Sequence, residues 1–292
     1  MMNLKILKLF HLYISYTKPK VWLLLVFVGG VGAVLASENF SVNSLDIVIA
    51  IISIIAGSAG SEALTNYIDR DIDSLMFRTK RRPLVTGEIT PRKALALGFI
   101  LVILSVIFLI VFGKFIAAGF MSIGITDNVV VYSYLLKRRT PWSIVLGGFS
   151  GGFPVVIGWY AVTTAFSILP WFLFTLVVVW IPVHIWSLAY RYRDDYGRAR
   201  VPMLPVVFSN RISALCISFS AVLLVAFSVL PYYFGENSII YLLIVALISG
   251  PLIYFAISFV RKKDQKSSLK LFKYSSPYLT FIFFLFLILK FL

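Results

Sequence analysis

Apolar residues fill stretches of about 20 residues along nearly the whole chain, and polar residues gather in the short connections between them. A helix of about 20 apolar residues crosses the hydrocarbon core of a bilayer, so each stretch predicts a membrane span. Nine are predicted, over 21–37, 44–65, 93–113, 115–136, 143–164, 167–190, 212–230, 237–260 and 274–291. The fold class is therefore all-α, a polytopic membrane protein in one domain over 1–292. No stretch is left for a separate soluble domain. Pro154, Pro182 and Pro251 fall inside predicted spans and are expected to kink them, the first two widening a cavity.

Composition agrees with the pattern: 60% of the residues are hydrophobic and 13% charged, against about 25% charged in an ordinary soluble domain. The excess of 27 Lys+Arg over 12 Asp+Glu could suggest a nucleic-acid partner. The positions of the basic residues exclude it. Of the 27, 25 precede span 1 or follow spans 2, 4, 6 and 8, leaving only Lys114 and Lys290 on the other side. This positive-inside asymmetry predicts a cytoplasmic N-terminus and, with nine spans, an external C-terminus. Residues 1–20 carry lysines among spaced Leu, Ile and Phe and no small-residue cleavage site. They predict an interfacial amphipathic lead rather than a cleaved signal. His11, within it, is expected at the surface. The single cysteine, Cys216, excludes an internal disulfide framework.

The acids cluster on the cytoplasmic side, in two connections at 66–92 and 191–211. The outer connections SENFSVNS (37–44) and FGENS (234–238) contain no basic residues. In NYIDRDID (66–73) three aspartates alternate with other residues. If span 2 continues as a helix toward Arg82, 100° per residue places Glu62, Asn66, Asp69 and Asp73 in one stripe about 60° wide. Asp71 points away. If span 6 runs on to Tyr196, His184, Ser187, Arg191 and Asp195 share a face in the same way. The two connections resemble each other weakly: helix end, acids, basic run, then proline. Carboxylates one helical turn apart suit Mg²⁺, which takes oxygen ligands and keeps substrate phosphates in its shell. Acids and cations together at a membrane surface suit a lipid diphosphate, whose departure needs charge stabilised on the leaving oxygens. Alternating Asp and Arg at one span end could be only a solvated helix terminus; two such ends on one face argue otherwise.

Seven segments then carry a resemblance: YTKPKV (16–21), NYIDRDID (66–73), RTKRRPLVTGEI (78–89), LKRRTPW (136–142), GGFSGGFPVVIGW (147–159), WIPVHIWSLAYRYRDDY (180–196) and RARVPMLPV (198–206). The chain resembles the UbiA superfamily of intramembrane prenyltransferases and, within it, the protohaem IX farnesyltransferase (haem O synthase) branch. The resemblance implies nine helices around a central cavity, and transfer of a farnesyl group from farnesyl diphosphate to a vinyl group of haem B, with water added. It implies Asn66, Asp69 and Asp73 as Mg²⁺–diphosphate ligands, joined by Asp194 or Asp195 from the second motif. Asn66, Asp69, Asp73 and Asp195 would be the catalytic set. Arg78, Arg82, Lys137 and Arg191 would face the diphosphate, from the cytoplasmic side. His184 is open between haem contact and a hydrogen bond between helices. A haem A synthase would act downstream. Three departures stand out: Thr65 replaces a frequent Asn, Val183 replaces a frequent Pro, and Tyr192 and Tyr196 flank the second pair of acids. The rival readings are a prenyltransferase of this fold with a quinone-precursor or isoprenyl glycerol phosphate acceptor, and a transporter of haem or lipid diphosphates.

Overall fold

The computed structural model describes residues 11–38, 44–233 and 239–291, and among them there is no strand. Residues 1–10, which hold half of the amphipathic lead, and the outer connections 39–43 and 234–238 lie outside the described residues. His11 is exposed, as expected. Lys18 takes a left-handed backbone (φ 55°), and Pro19 then opens α1 (Pro19–Ala36), where its fixed φ suits a first helical turn and its missing N–H costs no bond. The succeeding helices are α2 (Ser44–Ile68), α3 (Arg70–Leu75), α4 (Pro91–Val111) and α5 (Phe115–Thr126). α5 runs on into wide turns over Asp127–Leu136, whose end is marked by the Lys137 N–H donating to Tyr132 O, five residues back, at 2.8 Å. After them come α6 (Ser143–Leu146), α7 (Phe153–Val162), α8 (Leu169–Arg191), α9 (Arg193–Arg198), α10 (Leu204–Val207), α11 (Asn210–Tyr233), α12 (Ile239–Lys262) and α13 (Gln265–Phe291).

Eight of these helices, counting α5 with its wide turns as one, are long and apolar enough to cross a membrane. The fifth predicted span is the exception. Residues 143–164 form α6, a single tight turn over Gly148–Gly151, and the ten-residue α7. Four glycines, Gly147, Gly148, Gly151 and Gly152, interrupt an apolar run whose hydropathy alone predicts continuity. Pro154 accordingly sits in the first turn of α7 instead of inside a span, while Pro182 and Pro251 lie within α8 and α12. Broken backbone at membrane depth is tolerated where it lines a cavity, and Gly147, Gly148, Ser150 and Gly151 do line one. Asp127 Oδ2 accepts the Ser150 N–H at 2.7 Å, satisfying one amide that the break frees. α7 lies backbone-to-backbone on α1. A Cβ on Gly158 would sit 1.9 Å from Gly29 O, and one on Gly32 2.3 Å from Val155 O, the close approach that small residues allow between membrane helices.

Three further boundaries differ from expectation. α2 does not continue to Arg82: the helix breaks at Asp69 (φ −87°, ψ 2°), resumes as α3 and ends at the extended Met76. α8 likewise stops before Tyr196, at Tyr192 (φ −113°, ψ 27°), and resumes as the six-residue α9. The weak internal resemblance is thus a shared shape: a long helix, one non-helical residue, then six helical residues holding buried aspartate. α13 starts at Gln265, not 274, because its first two turns are polar helix beyond the apolar run.

α2 packs on α4, α1 on α7, and α8 on both α11 and α13. Tyr16 and Lys290 make their contacts toward opposite ends of α1. Tyr16 donates its hydroxyl to Ala63 O at 2.6 Å at one end, and Lys290 donates to Val34 O (2.6 Å), Leu35 O (3.0 Å) and Ser37 O at the other. Both exceptions to the charge asymmetry are therefore held locally, Lys290 on helix-end carbonyls and Lys114 by Asp46 at 2.5 Å.

Candidate active site

The break in α2 gathers the first motif. Asp69 and Asp73, at 2% and 4% exposure, are buried beside Asn66, whereas the Asp71 side chain is 61% exposed. The helical stripe predicted this division and the structure keeps it, although the helix is broken at Asp69. Buried carboxylates need partners, and each has a cation. Asp69 Oδ2 accepts from Lys137 Nζ. Asp73 Oδ2 accepts from Arg82 Nη1 at 2.5 Å, and the same nitrogen donates to Asn66 Oδ1 at 3.0 Å. Asn66 Nδ2 donates to Tyr16 O at 2.6 Å, tying the motif to the N-terminal segment. Burial works against the Lys137 ammonium, but Asp69, Tyr132 and Tyr196 outweigh it and hold its pKa above the ordinary lysine value. Asp71 turns outward to Arg138 (2.6 and 2.7 Å), whose hydrogen bonds hold its carboxyl below the usual range.

One atom in this cluster is left over. Asp69 Oδ1 is buried and has no hydrogen-bond partner, a condition that costs about 1–3 kcal/mol. An orphaned carboxylate oxygen beside Asn66 and Asp73 is a donor set that a hard cation such as Mg²⁺ takes. The first motif therefore fits that ion.

The second motif is arranged differently. Asp195 is buried, with Oδ1 accepting from Arg198 Nη2 and Oδ2 from the Arg78 N–H at 3.2 Å, so both oxygens are engaged. Asp194 is 70% exposed and 3.8 Å from Arg193 Nε. Arg191 lies with Asp194 and Asp195 in a pocket of about 430 Å³, and donates to Gln265 Oε1. Among the described residues no three His, Cys, Asp or Glu side chains converge as one metal site. Asn66, Asp69 and Asp73 are buried in the first motif, Asp194 and Asp195 line the smaller pocket, and each buried aspartate is paired with a cation of its own. The stripe expected along span 6 is split by the break at Tyr192. His184 faces the main cavity, while Arg191 and Asp195 face the smaller pocket and Ser187 is buried.

The main cavity encloses about 770 Å³, a volume typical of small-molecule sites. Its wall passes from Lys20, Glu62 and Arg78 to apolar groups such as Met121, Phe153 and Trp180. His184 lies among the latter, stacked on Trp180 (4.4 Å between centroids) and near Phe272 (4.3 Å). Its Nδ1 pairs with Ser275 Oγ at 2.8 Å, so it both bonds across to α13 and lines the cavity.

These features agree with sequence comparison. The model of the UbiA prenyltransferase family matches residues 23–288. The chain belongs to the UbiA prenyltransferase family. Within that family it falls in the branch of a protein from Thermoplasma volcanium named protoheme IX farnesyltransferase, 63% identical over 97% of this chain and 98% of the relative. A UbiA homologue from Aeropyrum pernix K1 shares the fold, with a TM-score of 0.75 at 19% identity over 94% of this chain and 99% of the other. Another from Archaeoglobus fulgidus, solved with GPP and Mg²⁺, has a TM-score of 0.62 at 17% identity over 94% and 99%.

Several residues around the UbiA-type site escaped sequence reasoning. Lys18 Nζ bonds Glu62 Oε2 at 2.8 Å and reaches Thr65 Oγ1 at 3.4 Å, so Thr65 contributes a hydroxyl to an ion pair beside the first motif. Burial pulls the Lys18 ammonium pKa down against the pull of Glu62. Asn128 donates to Ser61 Oγ at 2.9 Å in the cavity wall. Partners 44 and 67 residues apart leave no periodic mark; only the lysine beside Pro19 in YTKPKV was a signal.

Proposed function

We propose that this chain transfers a farnesyl group from farnesyl diphosphate to a vinyl group of haem B, with addition of water, to make haem O. The observation that carries the reading is the 63% identity, over nearly the whole chain, to a protein named protoheme IX farnesyltransferase. The buried Asn66–Asp69–Asp73 cluster, and an apolar cavity of about 770 Å³ lined by Ser61 and Glu62 of the same helix as Asn66, support it.

Asn66, Asp69 and Asp73 would hold Mg²⁺, with the orphaned Asp69 Oδ1 as its first ligand. A solved UbiA homologue carries that ion together with a prenyl diphosphate. Bound there, Mg²⁺ supplies charge stabilisation to the departing diphosphate. Lys137 and Arg82, which pair with Asp69 and Asp73, would meet the diphosphate. The apolar wall receives the tail and excludes water from the allylic cation left when the carbon–oxygen bond breaks. The vinyl carbon of the acceptor then adds to that cation. Water closes the other vinyl carbon and loses a proton. The charge asymmetry along the sequence, with 25 of 27 basic residues in the connections of one side, supports a carboxylate end that faces the cytoplasm and a C-terminus outside.

The test is direct. Purified protein given farnesyl diphosphate, haem B and Mg²⁺ yields a haem heavier by one farnesyl group and one hydroxyl group, read by mass spectrometry. Recovery of unmodified haem alone overturns the reading.

A further inference from the structure

The chain has two histidines. His11 is exposed, and His184 is the imidazole on the wall of the main cavity. Its ring packs on Trp180 and Phe272, with centroids 4.4 and 4.3 Å away. The Ser275 hydroxyl decides which ring nitrogen carries the proton. Ser275 Oγ donates to Phe272 O at 2.8 Å and also lies 2.8 Å from His184 Nδ1. A serine has one hydroxyl proton and a carbonyl oxygen can only accept. Both bonds therefore form together only when Nδ1 carries the hydrogen and Ser275 Oγ accepts it. Ser276 Oγ, at 3.4 Å, is a longer contact of the same nitrogen. The bond made by one ring nitrogen thus leaves the lone pair on the other. Among the described residues none bonds Nε2, so this lone pair is left to whatever the cavity holds.

A lone pair with no partner in apolar surroundings is costly, and the occupants of the cavity differ in what they offer it. A farnesyl chain has no group that takes a lone pair, and a diphosphate presents oxygens that are themselves acceptors. Haem iron takes an imidazole nitrogen as an axial ligand. Metal-bound imidazoles in turn donate their other N–H to a fixed oxygen, as His184 does to Ser275. Resting on the acceptor reading above, we propose that His184 Nε2 ligates the iron of the haem substrate and so centres the macrocycle in the main cavity. Ser61 and Glu62 of α2, the helix that carries Asn66, line the same cavity, so the macrocycle and the helix of the first motif border one space. Trp180, Phe272 and Ser275 hold the imidazole, and the imidazole sets where the vinyl group is offered to the allylic cation.

The experiment uses the full chain purified without a polyhistidine tag, with haem B or metal-free protoporphyrin IX as the probe. Reduced haem B bound to the wild type, stripped of any further axial ligand by photolysis of its carbon monoxide complex, gives an iron–imidazole stretching band in the resonance Raman spectrum. The band moves when the histidines of the protein carry heavy nitrogen. His184→Ala abolishes the band, and added free imidazole restores it. The same substitution weakens haem B binding at least about tenfold, since disturbing even a partner of a metal ligand costs that much, and leaves the binding of metal-free protoporphyrin in place. A variant that fails to fold does not remove the test, because the wild-type spectrum carries it. A wild type that farnesylates haem B yet shows no iron–imidazole band overturns this inference alone. A band that persists in His184→Ala does the same, as does equal weakening of haem B and protoporphyrin. Absence of any farnesylated haem from the wild type overturns the acceptor reading itself.

Discussion

Asp69→Asn tests the centre of the site. The side chain is 2% exposed and one of its oxygens neutralises Lys137, which is itself largely buried. Removing one member of a buried ion pair strands the other, at a cost of about 3–5 kcal/mol. The substitution therefore lowers thermal stability in detergent as well as activity, and a loss of activity by itself decides nothing. The double variant Asp69→Asn/Lys137→Met separates the effects: it removes both charges, recovers most of the stability and remains inactive, with turnover down at least about a hundredfold. Mg²⁺ with a prenyl diphosphate at about 100 times its Kd stabilises the wild type by about 2.7 kcal/mol and does nothing for the double variant. Melting curves with and without the ligands, beside a farnesyl-transfer assay, give all four readings. A double variant that is stable and fully active would refute the assignment of Asp69 to the metal.

Asp71→Ala, two positions from Asp69 and from Asp73, is expected to cost no more than about 1 kcal/mol, as exposed pairs do, and to keep full activity in the same assay. The Asp71–Arg138 tie has a defined pH window. Because Arg138 depresses the Asp71 pKa, the contribution is complete above the ordinary aspartate value of about 3.9 and is lost as pH falls through the depressed one. Hydrogen exchange over 69–73 should thus be unaffected by the tie from pH 8 to 5 and speed up only in stronger acid. Gly158→Ala forces a methyl within 1.9 Å of Gly29 O; overpacking of about 1–3 kcal/mol or more appears as a lower melting temperature, and unchanged stability would contradict the α1–α7 contact.

Where one short range of sequence held the information, it could be read. Apolar length predicts eight spans close to their observed places, and 100° spacing alone separates Asp69 and Asp73 from Asp71. The fifth span misled because hydropathy sums over glycines that break a helix, and Gly147–Gly152 was the unused signal. The ion pairs were illegible. Lys137 finds Asp69 across 68 residues and Lys18 finds Glu62 across 44, and the order of residues along a chain does not say which cation meets which acid.

The wide turns after α5 have a consequence for kinetics. The run Asp127–Leu136 is pinned at one end by Asp127 on the Ser150 amide, in the cavity wall, and at the other by Lys137 on Asp69. Releasing Lys137 loosens one pin, and a helix wound five residues per bond can tighten to four only by turning about the other. If the diphosphate shifts that register, the acceptor meets an altered cavity wall, and thermodynamic reciprocity requires the acceptor to alter diphosphate affinity by the same factor. Ten residues of loosely wound helix would make the two substrates known to each other before they touch.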